Sequence, residues 1–161
     1  MNLILNIKTM NPSTRENINN FLDCKTIAIA GASRDENSFS AKVATHLTKL
    51  GYKLWYINPE FGQHEEGNFR VQSVAGLPLD IHNLIVLTPA AQTGHVIRHA
   101  IDKGINNIWI QQKSETPAVL ELAEQHDLNV IHHQCIFMFT DPEGIHKFHC
   151  TLKRVFGTLP K

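Results

Sequence analysis

Ten histidines and three cysteines are the residues of this chain best suited to chemistry. His95 and His99 stand four apart, a spacing at which two imidazoles on one helical face can share a metal ion. They lie opposite the apolar positions of their segment and nothing beside them completes a ligand set, so they are read as a solvated face. His132-His133-x-Cys135 falls where a strand leaves its sheet, and His146-x-x-His149-Cys150 lies on a terminal helix. A zinc site would require these two groups to meet, and spacing alone fixes no tetrahedral geometry; no metal site is expected. Cys135 beside histidines has some claim to thiolate character and to exchange with another thiol, but a small buried apolar side chain is the favoured reading. Nucleophilic catalysis has little support, because there is no Gly-x-Ser-x-Gly elbow and no base is identified beside Ser33. The chain is expected not to be an enzyme, with no catalytic residue assigned.

The second chemical feature is a loop, Gly31-Ala32-Ser33-Arg34-Asp35, that follows an apolar run and leads into a helical segment. A glycine there lets the backbone turn tightly, small residues let a phosphate approach, and the helix start presents free N–H groups with a favourable dipole. A phosphate-bearing ligand is the expectation. The dinucleotide fingerprint Gly-x-Gly-x-x-Gly is absent, since Ser33 and Glu36 occupy its second and third glycine positions. The acidic residue that would hold a nicotinamide cofactor's ribose is also missing, because the second apolar run ends in Asn58-Pro59. NAD(P) therefore ranks behind other nucleotides.

These residues need a scaffold, and the hydrophobic pattern supplies one. Short, β-branched, nearly continuous apolar runs at Thr26–Ala30, Lys53–Ile57, Asn83–Leu87, Asn107–Ile110 and Leu128–His132 have the character of strands buried on both faces. Helical periodicity fills the intervals. Ser40–Leu50 buries Val43, Ala44, Leu47 and Leu50 and stops at Gly51; the segment after Thr88-Pro89 buries Val96, Ile97, Ala100 and Ile101 and stops at Gly104, with Gly94 weakening its first turns. Thr116-Pro117 starts a further helix as cap and first helical residue. Terminal helices are expected over Pro12–Leu22, capped by Asn11, and Pro142–Phe156. The fold class is α/β: a Rossmann-like open parallel sheet of about five strands with helices on both faces, plus N- and C-terminal helices. Open sheets of this kind bind ligands beyond the carboxyl ends of their strands, which is where the Gly31 loop falls. Residues 58–70 form the one long irregular stretch, a surface loop rather than a linker.

An ordered set of short motifs resembles the stand-alone CoA-binding proteins, which share a fold with the N-terminal CoA-binding domain of the succinyl-CoA synthetase α subunit. The set is Ile27-Ala-Ile-Ala-Gly-Ala-Ser33 with Arg34-Asp35; Lys42-Val43; Gly51-Tyr52; Tyr56-Ile57-Asn58-Pro59; Thr88-Pro89; Trp109-Ile110-Gln111; and Gln134-Cys135-Ile136. The closing Phe156-Gly-Thr-Leu-Pro160 is similar to the tail of short family members. The resemblance implies coenzyme A or acyl-CoA as ligand. Gly31, Ala32 and Ser33 would meet the diphosphate, with Arg34 or Lys42 near a phosphate. Asn58 and Pro59 would border the adenosine, Thr88 and Pro89 would shape the next wall, and Gln111 would lie on the pantetheine side. The chain departs from the pattern at Gln111-Gln112-Lys113-Ser114, where relatives carry a glycine shortly after the glutamine. It also departs at Gln134 and at Thr88, where relatives often have an arginine and a basic residue.

Composition bounds the rest. At 161 residues and 42% apolar content, one domain over 1–161 is expected, with a core at about 25–138 and a helical extension at about 142–157. Lys plus Arg and Asp plus Glu both number 15, with no long basic run, so no nucleic acid is expected as partner. The cysteines are too few and scattered for a disulfide framework, no apolar run nears the roughly 20 residues of a membrane span, and no leader pattern opens the chain. A cytoplasmic, non-catalytic sensor, carrier or regulator is the leading expectation. The alternatives are a small NAD(P)-dependent oxidoreductase using the same cleft, or an interaction module with a decayed nucleotide site, acting as homodimer or on a protein partner.

Overall fold

The computed structural model describes residues 13–62 and 69–140. In chain order these form α1 (Arg15–Asp23), β1 (Thr26–Ala30), α2 (Phe39–Lys49), β2 (Lys53–Ile57), β3 (Arg70–Val71), a 3₁₀ turn at Val74–Gly76, β4 (Asn83–Val86), α3 (Ala90–Lys103), β5 (Asn107–Gln111), α4 (Pro117–Gln125), β6 (Asn129–Gln134) and α5 (Phe137–Thr140). All strand pairs are parallel, in the order β3-β2-β1-β4-β5-β6. This is the doubly wound order whose connections diverge to opposite faces between β1 and β4.

Strand periodicity splits the core in two. Ala28, Ala30, Leu84, Val86, Ile108, Ile110 and Val130 point to the face covered by α3, α4 and the 3₁₀ turn. Their neighbours Ile27, Ile29, Ile85, Trp109 and Ile131 point to the face covered by α1, α2 and α5. A strand with both faces buried needs apolar residues at successive positions, which is why these runs do not alternate with polar ones. The starts of β4, β5 and β6 are tied by asparagines. Asn129 Nδ2 donates to Asn107 Oδ1 (3.2 Å), Asn107 Nδ2 to Asn83 Oδ1 (3.3 Å), and Asn83 Nδ2 to the Phe21 carbonyl of α1 (2.9 Å).

Several expectations shift. A sixth strand joins the sheet: β3 is two residues long, too short for any periodicity, and pairs on the outer edge of β2. The strands at the middle and far edge end at Val86, Gln111 and Gln134 rather than at Leu87, Ile110 and His132. The first helix starts at Arg15 with Thr14 as its cap, accepting from Asn17 N at 3.1 Å. The preceding Ser13 lies outside the helix beside β6, where its Oγ accepts from His132 N at 3.0 Å, and Pro12, the expected start, lies outside the described residues. Leu50 is exposed, because it is the C-cap of α2 and the chain then turns away through Gly51 at φ +84°. α3 is helical through Gly94, where a Cβ would make an ordinary contact with Val119 Cγ2 at 3.6 Å. Asn11, the 142–157 helix and His146, His149 and Cys150 lie outside the described residues. Among the described residues no helix is long and apolar enough to cross a membrane.

Candidate functional site

The loop after β1 crosses the sheet edge at its switch point. Gly31 has φ +86°, and a Cβ on it would sit 2.9 Å from the Leu87 carbonyl carbon and the Thr88 nitrogen at the end of β4. Only glycine fits this close approach and this backbone. The amides of Gly31 and Ala32 both donate to the Ile57 carbonyl at 3.2 Å, tying the loop to the end of β2.

From there the loop shapes itself. Ser40 Oγ accepts from Ser33 N at 2.9 Å, Ser33 Oγ accepts from Asp35 N at 3.0 Å, and Ser38 Oγ caps α2 by accepting from Ala41 N at 3.1 Å. The Ser38 and Ser40 hydroxyls lie 3.2 Å apart. A run of hydroxyls bonded to local amides holds the turn open at the positive end of the α2 dipole. Asn58 closes the other side, its Nδ2 donating to the Ala32 carbonyl at 2.6 Å while its Oδ1 accepts from Glu60 N at 2.8 Å. Arg34 reaches across to donate to the Glu60 carbonyl.

A cleft of about 660 Å³ opens beyond these loops, bounded by Gly31, Ala32, Ser33, Asn58, Pro59 and Thr88. Six of the ten residues expected from the sequence thus meet in one place. Thr88 also borders a smaller cleft of about 280 Å³, where Pro89 and Gln111 lie with Phe39, Leu87 and Lys113. The two cavities share Thr88 as a bordering residue. Arg34 lies at the rim through its contact with Glu60. Lys42 is exposed on α2 and lines neither cleft.

A family model described as a CoA binding domain matches residues 25–141. The chain belongs to the CoA-binding domain family. Solved structures share the fold of this CoA-binding domain. A hypothetical protein from Pyrococcus horikoshii OT3 is 24% identical with a TM-score of 0.69, the alignment covering 80% of this chain and 92% of that one. A Thermus thermophilus protein is 22% identical at a TM-score of 0.68, over 76% and 93% of the two chains. A protein redesigned for binding, titled Prb, is 22% identical at 0.71, over 94% and 99%. No curated protein matches the chain.

In the stretch where the resemblance implies a glycine stands Lys113. It keeps a glycine-like backbone at φ +77°. Gln111 serves the packing, its buried Oε1 accepting from Ile136 N at 3.2 Å and its side chain bonding the Cys135 thiol. Cys135 is 2% exposed, and burial pushes its thiol up, against smaller opposing effects of hydrogen bonds from Gln111 and the backbone. A thiol so placed is a poor nucleophile. Beside it His133 pairs with Glu115, Nδ1 to Oε1 at 2.5 Å.

Sequence reasoning missed one wall of the main cleft. Gln92, His95, Val96 and His99 of α3 line it, with Glu60, Gln72 and Ser73 opposite. The histidines keep the solvated face read from the sequence, His95 exposed and His99 half-buried, and also border the cleft. The α3 residues recur at helical spacing, a signal present in the sequence, but the stripe of Val96, Ile97, Ala100 and Ile101 overlaps it. Gln72 and Ser73 had no signal, since they follow the two-residue β3.

Proposed function

We propose that this CoA-binding domain binds coenzyme A, free or acylated, along its strand ends and does no chemistry on it. One observation carries the reading: the Gly31 turn at the switch point, backed by the capped N-terminus of α2, opens onto a cleft that shares Thr88 with a second one. The diphosphate would rest over Gly31, Ala32 and Ser33, where backbone dipoles converge. Ser33 Oγ already accepts from Asp35 N and so has its own hydrogen left to donate. Asn58 fixes the spacing between the two loops that would flank the adenosine. The pantetheine arm would pass Thr88 toward Pro89 and Gln111. A non-catalytic role fits a Ser33 hydroxyl engaged with its own loop and a Cys135 thiol withdrawn from solvent. Sensing, carrying or regulation by the bound ligand follows, in a cytoplasmic setting.

Calorimetry with coenzyme A tests the reading. Ser33→Asp puts a carboxylate where a phosphate would sit, and binding should weaken by at least tenfold. Equal affinity in the variant removes the site. Saturation by NADH or NADPH without competition from coenzyme A would transfer the cleft to a nicotinamide dinucleotide, despite Asn58 standing where an acidic residue would hold its ribose.

A further inference from the structure

The cleft has an unusual charge balance for a phosphate ligand. Neither lysine nor arginine is among its lining residues, and Glu60 adds a negative charge. The imidazoles on its walls are His95 and His99. They sit one turn apart on the cleft face of α3, with ring centroids 4.1 Å apart at an interplanar angle of 60°. Nothing in the binding scheme above uses them.

We propose that His95 and His99 form a two-imidazole site for a zinc-class divalent ion, completed by phosphate oxygens of the nucleotide in the same cleft. This rests on the nucleotide reading. Imidazole nitrogen suits zinc, cobalt and nickel, and zinc is commonly four-coordinate. Among the described residues no group of three or more His, Cys, Asp or Glu could hold a metal ion, so the pair supplies two ligands and leaves positions open. Phosphate oxygens are the donors a nucleotide would bring. A tetrahedral ion with bonds of about 2.0–2.1 Å needs its two nitrogens about 3.3 Å apart, a separation compatible with ring centroids 4.1 Å apart. The ion would supply the positive charge that the cleft walls lack. Ion and nucleotide would then each raise the other's affinity by the same factor.

Calorimetry on the full chain, stripped of metal with a chelator, tests this with Zn²⁺ and ADP as probes; ADP lacks the coenzyme's thiol, and its own complexation of Zn²⁺ in solution is subtracted by the same titration without protein. ADP should bind at least tenfold more tightly with Zn²⁺ present. His95→Ala and His99→Ala should each abolish that gain, read as the ratio of ADP affinities with and without Zn²⁺ in the same variant, while leaving the melting temperature unchanged. Co²⁺ with ADP should give the intense visible absorption of a tetrahedral site in the native chain and lose it in either variant. ADP binding that ignores Zn²⁺ overturns the metal site and leaves the nucleotide reading standing. A gain that survives both substitutions also overturns it, placing the ion elsewhere. ADP that fails to bind with or without Zn²⁺ overturns both.

Discussion

Gly31 and Lys113 share a left-handed backbone, at φ +86° and +77°, under opposite constraints. At Gly31 a side chain has no room, with two backbone atoms 2.9 Å from its would-be Cβ. Lys113 is exposed and has a side chain in a conformation that costs L-residues about 1–2 kcal/mol. Lys113→Gly should therefore stabilise the fold by about 0.5–1 kcal/mol after the entropy of the more flexible glycine is counted, as a higher urea midpoint would show. Cys135 makes a pH prediction with a definite sign. Its folded-state thiol is pushed up, so the folded chain keeps a proton that the unfolded chain releases above about pH 8.5. The stabilisation is complete below that pH and is lost as pH rises toward the folded value. Melting curves of the native chain should fall more steeply above pH 8.5 than those of Cys135→Ala.

Among the elements, the asparagines at the starts of β4, β5 and β6 do what no single strand could. They link three strands to one another and to α1. Asn83 is 2% exposed, and Asn83→Ala would leave the Phe21 carbonyl and the Asn107 amide without their partner. A loss of about 1–3 kcal/mol should follow in chemical denaturation, with ligand affinity unchanged because the ladder lies at the opposite end of the strands from the clefts. The strands themselves were legible because both of their faces are buried, so the apolar runs at 26–30 and 53–57 coincide with β1 and β2. The Gly31 turn was legible because its chemistry is local. The ladder was not, since it needs the register of three distant strands. The cleft face of α3 was hidden for a related reason: one helix serves the core through Ile97 and Ala100 and the cleft through His95 and His99, and periodicity reports the larger stripe. Lys42 shows the converse. Its place in a family-like motif put it near a phosphate; in the structure it is exposed on the first turn of α2 and lines neither cleft.

For the molecule as a whole, the sheet is the shared wall of two cores, and ligand and fold are coupled through it. The main cleft takes its lining from the ends of β1, β2 and β4 and from α3, so a bound nucleotide would touch elements that must all be assembled together. A chain that opens either core loses the cleft. A ligand that binds only the folded state stabilises it by mass action, by about 2.7 kcal/mol at one hundred times its dissociation constant. For a chain of this size that corresponds to a rise of roughly 5–10 °C in melting temperature. Coenzyme A and acetyl-CoA should produce such a rise. ADP should produce a smaller one, because it lacks the arm that would reach past Thr88 to Gln111, and NAD and NADP should produce little. The ordering is the informative part. Equal shifts with ADP and coenzyme A would confine recognition to the larger cleft and leave the second one without a role in binding. No shift with any of the five would count against a working nucleotide site and favour a module whose cleft no longer binds its ligand.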